Sequence, residues 1–215
     1  MNLLAGLEKP TKGDIIINKN KVNKLSEKKL AVFRQKYIGF VFQSYNLIPT
    51  LTAEENVALP LVFRHIGKRK RSKMSRDMLK LVGLGDRVKH KPTQMSGGQQ
   101  QRAGIARAFV SKPAVVFADE PTGNLDSKTT VEVMRLMVKM AKDHNLTLVI
   151  VTHEKDIAEY ADRILRLKDG NVIADFVPEH EDKKTEESEN TENIVNVFIE
   201  DTKEDIGEIL IYEKN

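Results

Sequence analysis

The stretch from Met95 to Asp126 limits the possible folds more than any other part of the chain. It begins with a turn in which Ser96 and Gln99 have the Ser-x-x-Gln spacing of a helix capping box. Gly97 and Gly98 carry no side chains, so the first backbone N–H groups of the helix stay open to an anion. A helix start of this kind binds phosphate through its N–H groups and its dipole.

A buried parallel strand is predicted directly after this helix. The Lys112-Pro113 pair ends the helix, because proline excludes the α region from the residue before it. Ala114 to Ala118 is then a continuous apolar run, which is typical of a parallel strand covered on both faces. Such a strand places Asp119 and Glu120 at its carboxyl end, where open α/β sheets carry their chemistry.

Together, these two parts resemble the ATP-binding-cassette (ABC) ATPases. Ser96 to Gln100 resembles the family signature, with Met95 where leucine is usual. Val115 to Glu120 resembles the Walker B strand followed by the catalytic glutamate, and Asn124 to Asp126 resembles the D-loop. A capped core helix before a core strand would explain the periodicity, but it would not explain two adjacent carboxylates after the strand.

Two single residues extend the resemblance. Gln43 closes a predicted strand over 37–42 and matches the family's Q-loop glutamine, about fifty residues before the signature. His153 ends a predicted buried strand over 146–152 and matches the family's switch histidine. Alone, each would be an ordinary loop residue, and it is the position relative to the signature and Walker B that favours a functional role.

The resemblance implies a P-loop NTPase-like α/β fold, with a mostly parallel sheet flanked by helices and an inserted helical subdomain. It also implies ATP and Mg²⁺ as ligands, and two cassettes that hold each nucleotide between them. The metal residues are then Asp119 and Gln43, and the catalytic residues are Glu120, His153 and Gln43. The nucleotide-binding residues, which act across the dimer, are Ser96, Gly97, Gly98, Gln99 and Asp126.

The family's Walker A loop has no counterpart in this sequence. Residues 4–13 resemble the segment that follows Walker A, but Gly-x-x-x-x-Gly-Lys-[Ser/Thr] occurs nowhere in the 215 residues, so the P-loop and its strand are missing. That loop cradles the β- and γ-phosphates. We therefore expect the chain as it stands not to hydrolyse ATP and to be poorly stable alone. We also expect Met1 to be an internal methionine, and residues 146–152 to have an unpaired edge.

The remaining patterns predict the elements around these motifs. A strand is expected over 14–18, a helix over 25–35, and a hairpin over 164–176 that turns at Asp169-Gly170. A capping box over 52–55 begins another helix. Two further helices are predicted to bury one apolar face each: Met74, Met78, Leu81 and Val82 in the first, and Val131, Met134, Val138 and Ala141 in the second.

Composition divides the chain into unequal parts. Residues 1–178 are expected to form the ATPase domain, with the helical subdomain at about 50–95. Within it, the basic run over 64–73 favours a solvated face over a nucleic-acid or membrane patch. Residues 179–193 are acidic and polar and predict a disordered linker. Residues 194–215 alternate in polarity, which leaves open a small strand pair or a partner-binding tail of unknown role.

The run from Asp119 to Ser127 resembles the subgroup that serves lipoprotein-release, macrolide and antimicrobial-peptide exporters. This implies an ATPase subunit docked on membrane permease subunits at the cytoplasmic face of the cell membrane, where it drives export or release of a substrate. No apolar run approaches the ~20 residues of a membrane span, so membrane insertion is not expected. No Phe, Tyr or Trp interleaves the basic run over 64–73 to stack bases, so a nucleic-acid partner is not expected either. Two alternatives remain open, namely an ABC-type protein that acts on ribosomes or nucleic acid, and an inert gene remnant.

Overall fold

The computed structural model describes residues 1–154, 157 and 160–178, and the backbone of 196–199 and 207–211. It consists of helices packed around a mixed sheet whose central strands are parallel, with short 3-10 turns at Val22–Lys24 and Pro92–Gln94. The elements in chain order are β1 (Ile16–Ile17), β2 (Asn20–Lys21), α1 (Glu27–Tyr37), β3 (Ile38–Phe42), α2 (Ala53–Phe63), α3 (Lys68–Leu81), α4 (Gly97–Phe109), β4 (Val115–Asp119), α5 (Ser127–His144), β5 (Thr147–Thr152), β6 (Arg163–Lys168), β7 (Asn171–Phe176), β8 (Asn196–Ile199) and β9 (Gly207–Ile211).

Three parallel strands form the centre of the sheet. β3 pairs with β4, and β4 pairs with β5, so Phe42, Asp119 and Val151 lie in register at the carboxyl ends. These are the strands predicted from the apolar runs, and their parallel pairing confirms the expected α/β architecture.

Strand β4 is covered on both faces, as its unbroken apolar sequence predicts. Val116 and Ala118 face a cluster built mainly from α2, α3, α4 and α5. Val115 and Phe117 face a smaller cluster that includes Leu30 and Phe33 of α1. The side chains alternate because successive residues of a strand point to opposite faces.

Two predicted helical faces need correction. In α3, Leu81 is 52% exposed, whereas Leu79 is fully buried and Met78 nearly so. In α5, Val131 is 37% exposed, and Val133 is buried in its place. Both helices are amphipathic as expected, but their buried faces are rotated from the apolar spacing that we chose, since each sequence offers more than one apolar stripe.

The first predicted strand is also too long. Only Ile16 and Ile17 pair, and they pair with β2 in an antiparallel hairpin. Asn18 and Lys19 have φ values of 46° and 61°, so the chain turns where we expected a strand to continue. The second hairpin, β6 and β7, turns at Asp169-Gly170 as predicted, with Lys168 opposite Asn171.

The C-terminal strands β8 and β9 cover the edge of β5 that we expected to be unpaired. β8 and β9 lie between β5 and β6 in the seven-stranded order β3-β4-β5-β8-β9-β6-β7. β5 pairs in parallel with β8 at Val151 and antiparallel with β9 at residues 149–152. The expectation that β5 has an unpaired edge is therefore wrong, because backbone groups of 196–199 and 207–211 cover it. The predicted linker over 179–193 lies outside the described residues.

No helix among the described residues is long and apolar enough to cross a membrane.

Candidate active site

The candidate site is built at the carboxyl ends of β3, β4 and β5. Since Phe42, Asp119 and Val151 are in register, the next residues of the three strands emerge at one edge. Those residues include Gln43, Glu120 and His153, the three side chains that the sequence predicted to be catalytic. The fold thus brings together groups that are up to 110 positions apart in the chain.

Glu120 is held in a defined orientation. Its backbone N–H donates to the carbonyl oxygen of Val151 at 2.8 Å. Its Oε1 lies 2.9 Å from Nδ1 of His153, and the two side chains are 32% and 58% exposed. Its φ is 40°, a left-handed conformation that non-glycine residues rarely adopt and that clusters at functional sites. The carboxylate is therefore both fixed and open to water.

Gln43 approaches the same carboxylate from β3. A Cβ built on Gly123 would lie 2.7 Å from Nε2 of Gln43 and 3.4 Å from Oε2 of Glu120, so the amide and the carboxylate both lie beside Gly123. Any larger residue at Gly123 would displace the amide. Asn124 ties the two loops together, because its Nδ2 donates to the backbone oxygen of Gln43 at 3.0 Å.

A second contact joins the loops after β4 and β5. Oγ1 of Thr122 donates to Oε1 of Glu154 at 3.0 Å, and the backbone N–H of Glu154 donates to Oγ1 of Thr152 at 3.1 Å. Both threonines are only 1% exposed. These bonds fix the spacing between the two loops that carry Glu120 and His153.

The side chains present suit a hard cation that keeps most of its water. Asp119 is exposed at the end of β4 and offers a carboxylate, and Gln43 offers an amide oxygen. In the described part of the chain, no group of three His, Cys, Asp or Glu side chains converges as a metal site. Mg²⁺ needs no such cage, since it usually binds through one or two protein oxygens together with water and substrate phosphates. The donor set fits Mg²⁺.

The predicted capping box at the start of α4 is present. Oγ of Ser96 accepts from the N–H of Gln99 at 3.4 Å, and Oε1 of Gln99 accepts from the N–H of Ser96 at 3.1 Å. Gly97 and Gly98 have no space for side chains, since added Cβ atoms would lie 2.8 Å from the Tyr45 hydroxyl and 2.7 Å from Cγ2 of Thr129. This explains the two glycines by steric fit as well as by anion access.

Asp126 has a structural contact of its own. It caps α5, with Oδ1 accepting from the N–H of Thr129 at 3.0 Å and Oδ2 accepting from the Thr129 hydroxyl at 2.6 Å. These hydrogen bonds hold the pKa of Asp126 below its usual value. Asp126 is therefore fixed at the start of a helix, on an exposed surface.

Sequence reasoning missed a buried polar residue that supports the site. Gln101 of α4 is fully buried, and its Nε2 donates to the backbone oxygen of Pro121, directly after Glu120. Its Oε1 has no hydrogen-bond partner among the described residues. The available signal was a polar residue in the apolar stripe formed with Ile105 and Ala108, because such residues need a buried partner.

Arg107 was also missed. Its guanidinium donates to the backbone oxygens of Tyr45 and Asn46, the former at 2.9 Å. Tyr45 and Asn46 have φ values of 60° and 46°, so two successive residues of the loop after Gln43 are left-handed. Burial lowers the pKa of Arg107. One helix thus supports the glutamine loop through Arg107 and the glutamate loop through Gln101.

Parallel strands that present an Asp-Glu pair, a glutamine and a histidine at one edge supply groups suited to phosphoryl transfer, which depends on positioning and charge stabilisation. The family model described as "ABC transporter" matches residues 1–123, more than half of the chain. The chain belongs to this family, and by that membership it is an ATP-binding-cassette ATPase.

Relatives and solved structures agree with the family. An uncharacterized ABC transporter ATP-binding protein of Methanocaldococcus jannaschii is 46% identical over 173 residues, which are 80% of this chain and 77% of that protein. The lipoprotein-releasing system ATP-binding protein LolD of Syntrophotalea carbinolica is 44% identical over 172 residues, 80% of this chain and 76% of LolD. The dimeric post-hydrolysis structure of the ATP-binding cassette MJ0796, bound to ADP and Pi, superimposes with a TM-score of 0.73 at 44% identity, and the match covers 82% of this chain and 78% of that one.

Proposed function

We propose that the chain is the ATP-hydrolysing subunit of an ABC transporter that exports or releases a substrate through membrane permease subunits. The observation that carries this proposal is the contact between Glu120 and His153, made at a strand end directly after Asp119. The name of the LolD relative, which belongs to a lipoprotein-releasing system, supports export or release. In this assignment the chain lies at the inner face of the cell membrane, attached through the permease.

In the proposed mechanism, Glu120 acts on the attacking water. Its carboxylate accepts a proton from that water or orients it, with His153 holding one carboxylate oxygen at 2.9 Å. Gln43 places its amide beside the same group and orients water and phosphate. Asp119 and Gln43 would hold Mg²⁺, which neutralises charge on the phosphates. Catalysis of this kind depends on positioning and charge stabilisation, and the fixed loops supply the positioning.

Residues of the signature and the D-loop are assigned to the other copy's nucleotide. Ser96 and the amides of Gly97 and Gly98 would bind the γ-phosphate across a head-to-tail dimer, with Gln99 fixing the turn and Asp126 at the interface. The dimeric state of the MJ0796 cassette supports a pair of cassettes. A helix start with exposed N–H groups suits this role.

Residues 1–215 contain no Walker A sequence, so we propose that hydrolysis requires such a loop in addition to them. The test is to measure ATP affinity and Mg²⁺-dependent turnover of residues 1–215, alone and with a Walker A segment from a family member fused before Met1. We expect neither tight binding nor turnover by residues 1–215 alone, and both in the fused form. Turnover by the shorter form would contradict this part of the proposal.

We assign residues of about 50–95, which include α2 and α3, to a helical subdomain that docks the permease together with the loop after Gln43. The chain has no cysteine, so a single introduced cysteine is a unique cross-linking site. Ile48 is 41% exposed in that loop and is a suitable position. Ile48→Cys should cross-link to a co-expressed permease, whereas Lys28→Cys on α1, which packs on the other face of the sheet, should not.

The same experiment separates the rival function. A cassette that acts on ribosomes or nucleic acid would give adducts with ribosomal proteins or RNA from Ile48→Cys, and no permease product. Equal cross-linking from both positions would show that the loop is not a docking surface.

A further inference from the structure

The turn that joins α2 to α3 carries an unusual concentration of positive charge. We call residues 62–73 the basic corner. Between Glu55 and Asp77 the sequence has seven Lys and Arg residues and no Asp or Glu. Such a run is commonly a solvated surface, so its meaning depends on which of the cations the fold already uses.

Four of the seven cations have partners within the chain. Arg64 donates to the backbone oxygen of Ser111, and Arg71 donates to that of Ile66 at 3.2 Å. Two ion pairs complete the set, namely Lys73 with Asp77 at 2.7 Å and Arg76 with Glu54 at 2.8 Å.

The other three, Lys68, Arg69 and Lys70, are exposed. In the part of the chain that the structure describes, they form no ion pair and no side-chain hydrogen bond. All three belong to the first turn of α3, and that turn contains no acidic residue. The N-cap residue of α3 is Gly67, so no side chain caps the helix. Cations in the first turn oppose the helix dipole, so the helix itself does not benefit from them. The positive charges of these three side chains are therefore available to bind an external anionic surface.

Exposed apolar side chains lie at the same corner. Phe63 is 58% exposed and Val62 is 39% exposed at the end of α2. The connection folds back tightly, because the N–H of His65 donates to the oxygen of Val62 at 2.9 Å and the N–H of Ile66 donates to that of Leu61 at 2.9 Å. The two apolar side chains therefore adjoin the start of α3, where the free cations begin.

This combination suits a lipid bilayer better than a nucleic acid. An anionic leaflet attracts clustered lysine and arginine, and an exposed phenylalanine beside them can enter the boundary between headgroups and acyl chains. Single-stranded nucleic acids are usually bound by several aromatic side chains on which successive bases stack. The basic corner offers only the rings of Phe63 and His65, too few to stack a run of bases.

We propose that the basic corner binds the surface of an anionic lipid bilayer through Lys68, Arg69 and Lys70, with Phe63 as an apolar contact. Binding is peripheral and uses headgroup charge, so it needs neither ATP nor a permease. It would add a direct membrane contact to the one made through permease subunits, and it would orient α2 and α3 toward the bilayer.

The test is co-sedimentation of residues 1–215 with vesicles of phosphatidylcholine alone and of an equimolar mixture with phosphatidylglycerol. We expect binding to the anionic vesicles only, and its loss in 1 M NaCl, where the Debye length is about 3 Å. Each Lys or Arg near an anionic surface contributes roughly fivefold to the partition coefficient. Replacing Lys68, Arg69 and Lys70 by Gln should therefore weaken binding about 100-fold, and Phe63→Ser should weaken it without changing the salt dependence.

A charge-matched control separates the basic corner from net charge. The triple change of Lys28, Lys29 and Lys36 to Gln removes three exposed cations from α1 and should leave most binding intact. Circular dichroism and the thermal midpoint check that each variant is folded. Equal losses in both triple variants, or equal binding to neutral vesicles, would overturn the proposal. So would tighter binding to single-stranded RNA than to anionic vesicles, lost with the same three residues. None of these outcomes depends on ATP hydrolysis or on the permease.

Discussion

At the residue scale, Glu120 combines an unusual backbone conformation with the proposed role of general base. Its left-handed φ of 40° is maintained by the bond to Val151 and the contact with His153. We expect Glu120→Gln to keep ATP binding and to lower turnover by ~10²–10⁴-fold, the usual contribution of a general base. The measurement is ATPase rate and ATP affinity in the form fused to a Walker A segment.

The control for Glu120 is Glu27→Gln. Glu27 is an exposed residue at the start of α1 that pairs with Lys9 at 2.9 Å, and α1 packs on the face of the sheet opposite α4. Its replacement should leave turnover unchanged. If Glu120→Gln retained turnover within about threefold of the parent, Glu120 would not be the general base, since that loss is far below the usual contribution.

Arg107 makes a prediction about stability. Its planar guanidinium serves two carbonyl oxygens of left-handed residues, and lysine cannot reproduce that fork. We expect Arg107→Lys to lower the free energy of unfolding by about 1–3 kcal/mol, through lost charged hydrogen bonds and an unsatisfied carbonyl. Urea unfolding measures the change. The matched control is Arg135→Lys, at an exposed position of α5, which should change the free energy of unfolding little. Equal losses for the two variants would show that the two hydrogen bonds of the Arg107 guanidinium do not stabilise the fold.

The catalytic residues that the sequence predicted share one property, which is that each directly follows a buried strand. Gln43, Glu120 and His153 could be found because local apolar runs locate the strand ends and because their positions relative to the signature and Walker B match the family pattern. Gln101 and Arg107 could not, because their partners are backbone oxygens at sequence separations of 20 and 61 or 62 residues. No local pattern encodes which carbonyl a helix side chain will meet.

At the scale of elements, α3 shows why a helix can be predicted while its orientation is not. The spacing of Met74, Met78, Leu81 and Val82 fits one face, but the structure buries Ser75, Met78, Leu79 and then Val82. The two faces differ by a small rotation, and contact with α2 and α4 selects between them. Local periodicity does not contain that contact.

The two leucines of α3 give a direct test of this orientation. Leu79 is fully buried and Leu81 is 52% exposed. Leu79→Ala should lower the free energy of unfolding by about 2–5 kcal/mol through cavity formation. Leu81→Ala, the same chemical change two residues away, should stay within about 0.5 kcal/mol of the parent. Comparable losses for the two variants in urea unfolding would show that α3 is rotated from the orientation described.

The start of α5 gives a prediction about pH. Hydrogen bonds from Thr129 lower the pKa of Asp126 in the folded state, so the folded chain prefers the ionised form more than the unfolded chain does. Asp126 therefore stabilises the folded chain above its unfolded-state pKa of about 3.9. This stabilisation is lost as the pH falls through the lower pKa that Asp126 has in the folded state. Asp126→Asn should therefore reduce the fall in thermal midpoint between neutral pH and pH 3, and an unchanged pH slope would contradict this.

At the scale of the whole molecule, the central strands were predictable and the closure of the sheet was not. β3, β4 and β5 are apolar runs followed by polar residues, which is how buried parallel strands appear in a sequence. The alternation of residues 194–215 left open a small strand pair or a partner-binding tail, and it gave no pairing partner. Their place between β5 and β6 depends on pairing over more than forty residues, as between Val151 and Phe198.

The last prediction concerns this C-terminal pair. β9 pairs with β5 as well as with β6, since Leu210 lies opposite Ile150 of β5 and Ile164 of β6. Removing residues 179–215 would leave backbone groups of both strands without partners, at about 1–3 kcal/mol for each group that stays buried. It would also open an apolar edge that favours aggregation. We expect the chain cut after residue 178 to unfold at lower urea and to self-associate in sedimentation experiments.

Leu210→Pro tests the same pairing in the full chain, because it removes one backbone N–H from β9. It should shift the urea midpoint in the same direction as the deletion, by a smaller amount. Residues 194–215 would instead be an independent tail if the cut chain and the full chain unfolded at the same urea concentration and both remained monomeric. In that case Leu210→Pro would also leave the urea midpoint unchanged. The deletion and the substitution thus both test whether β8 and β9 belong to the sheet.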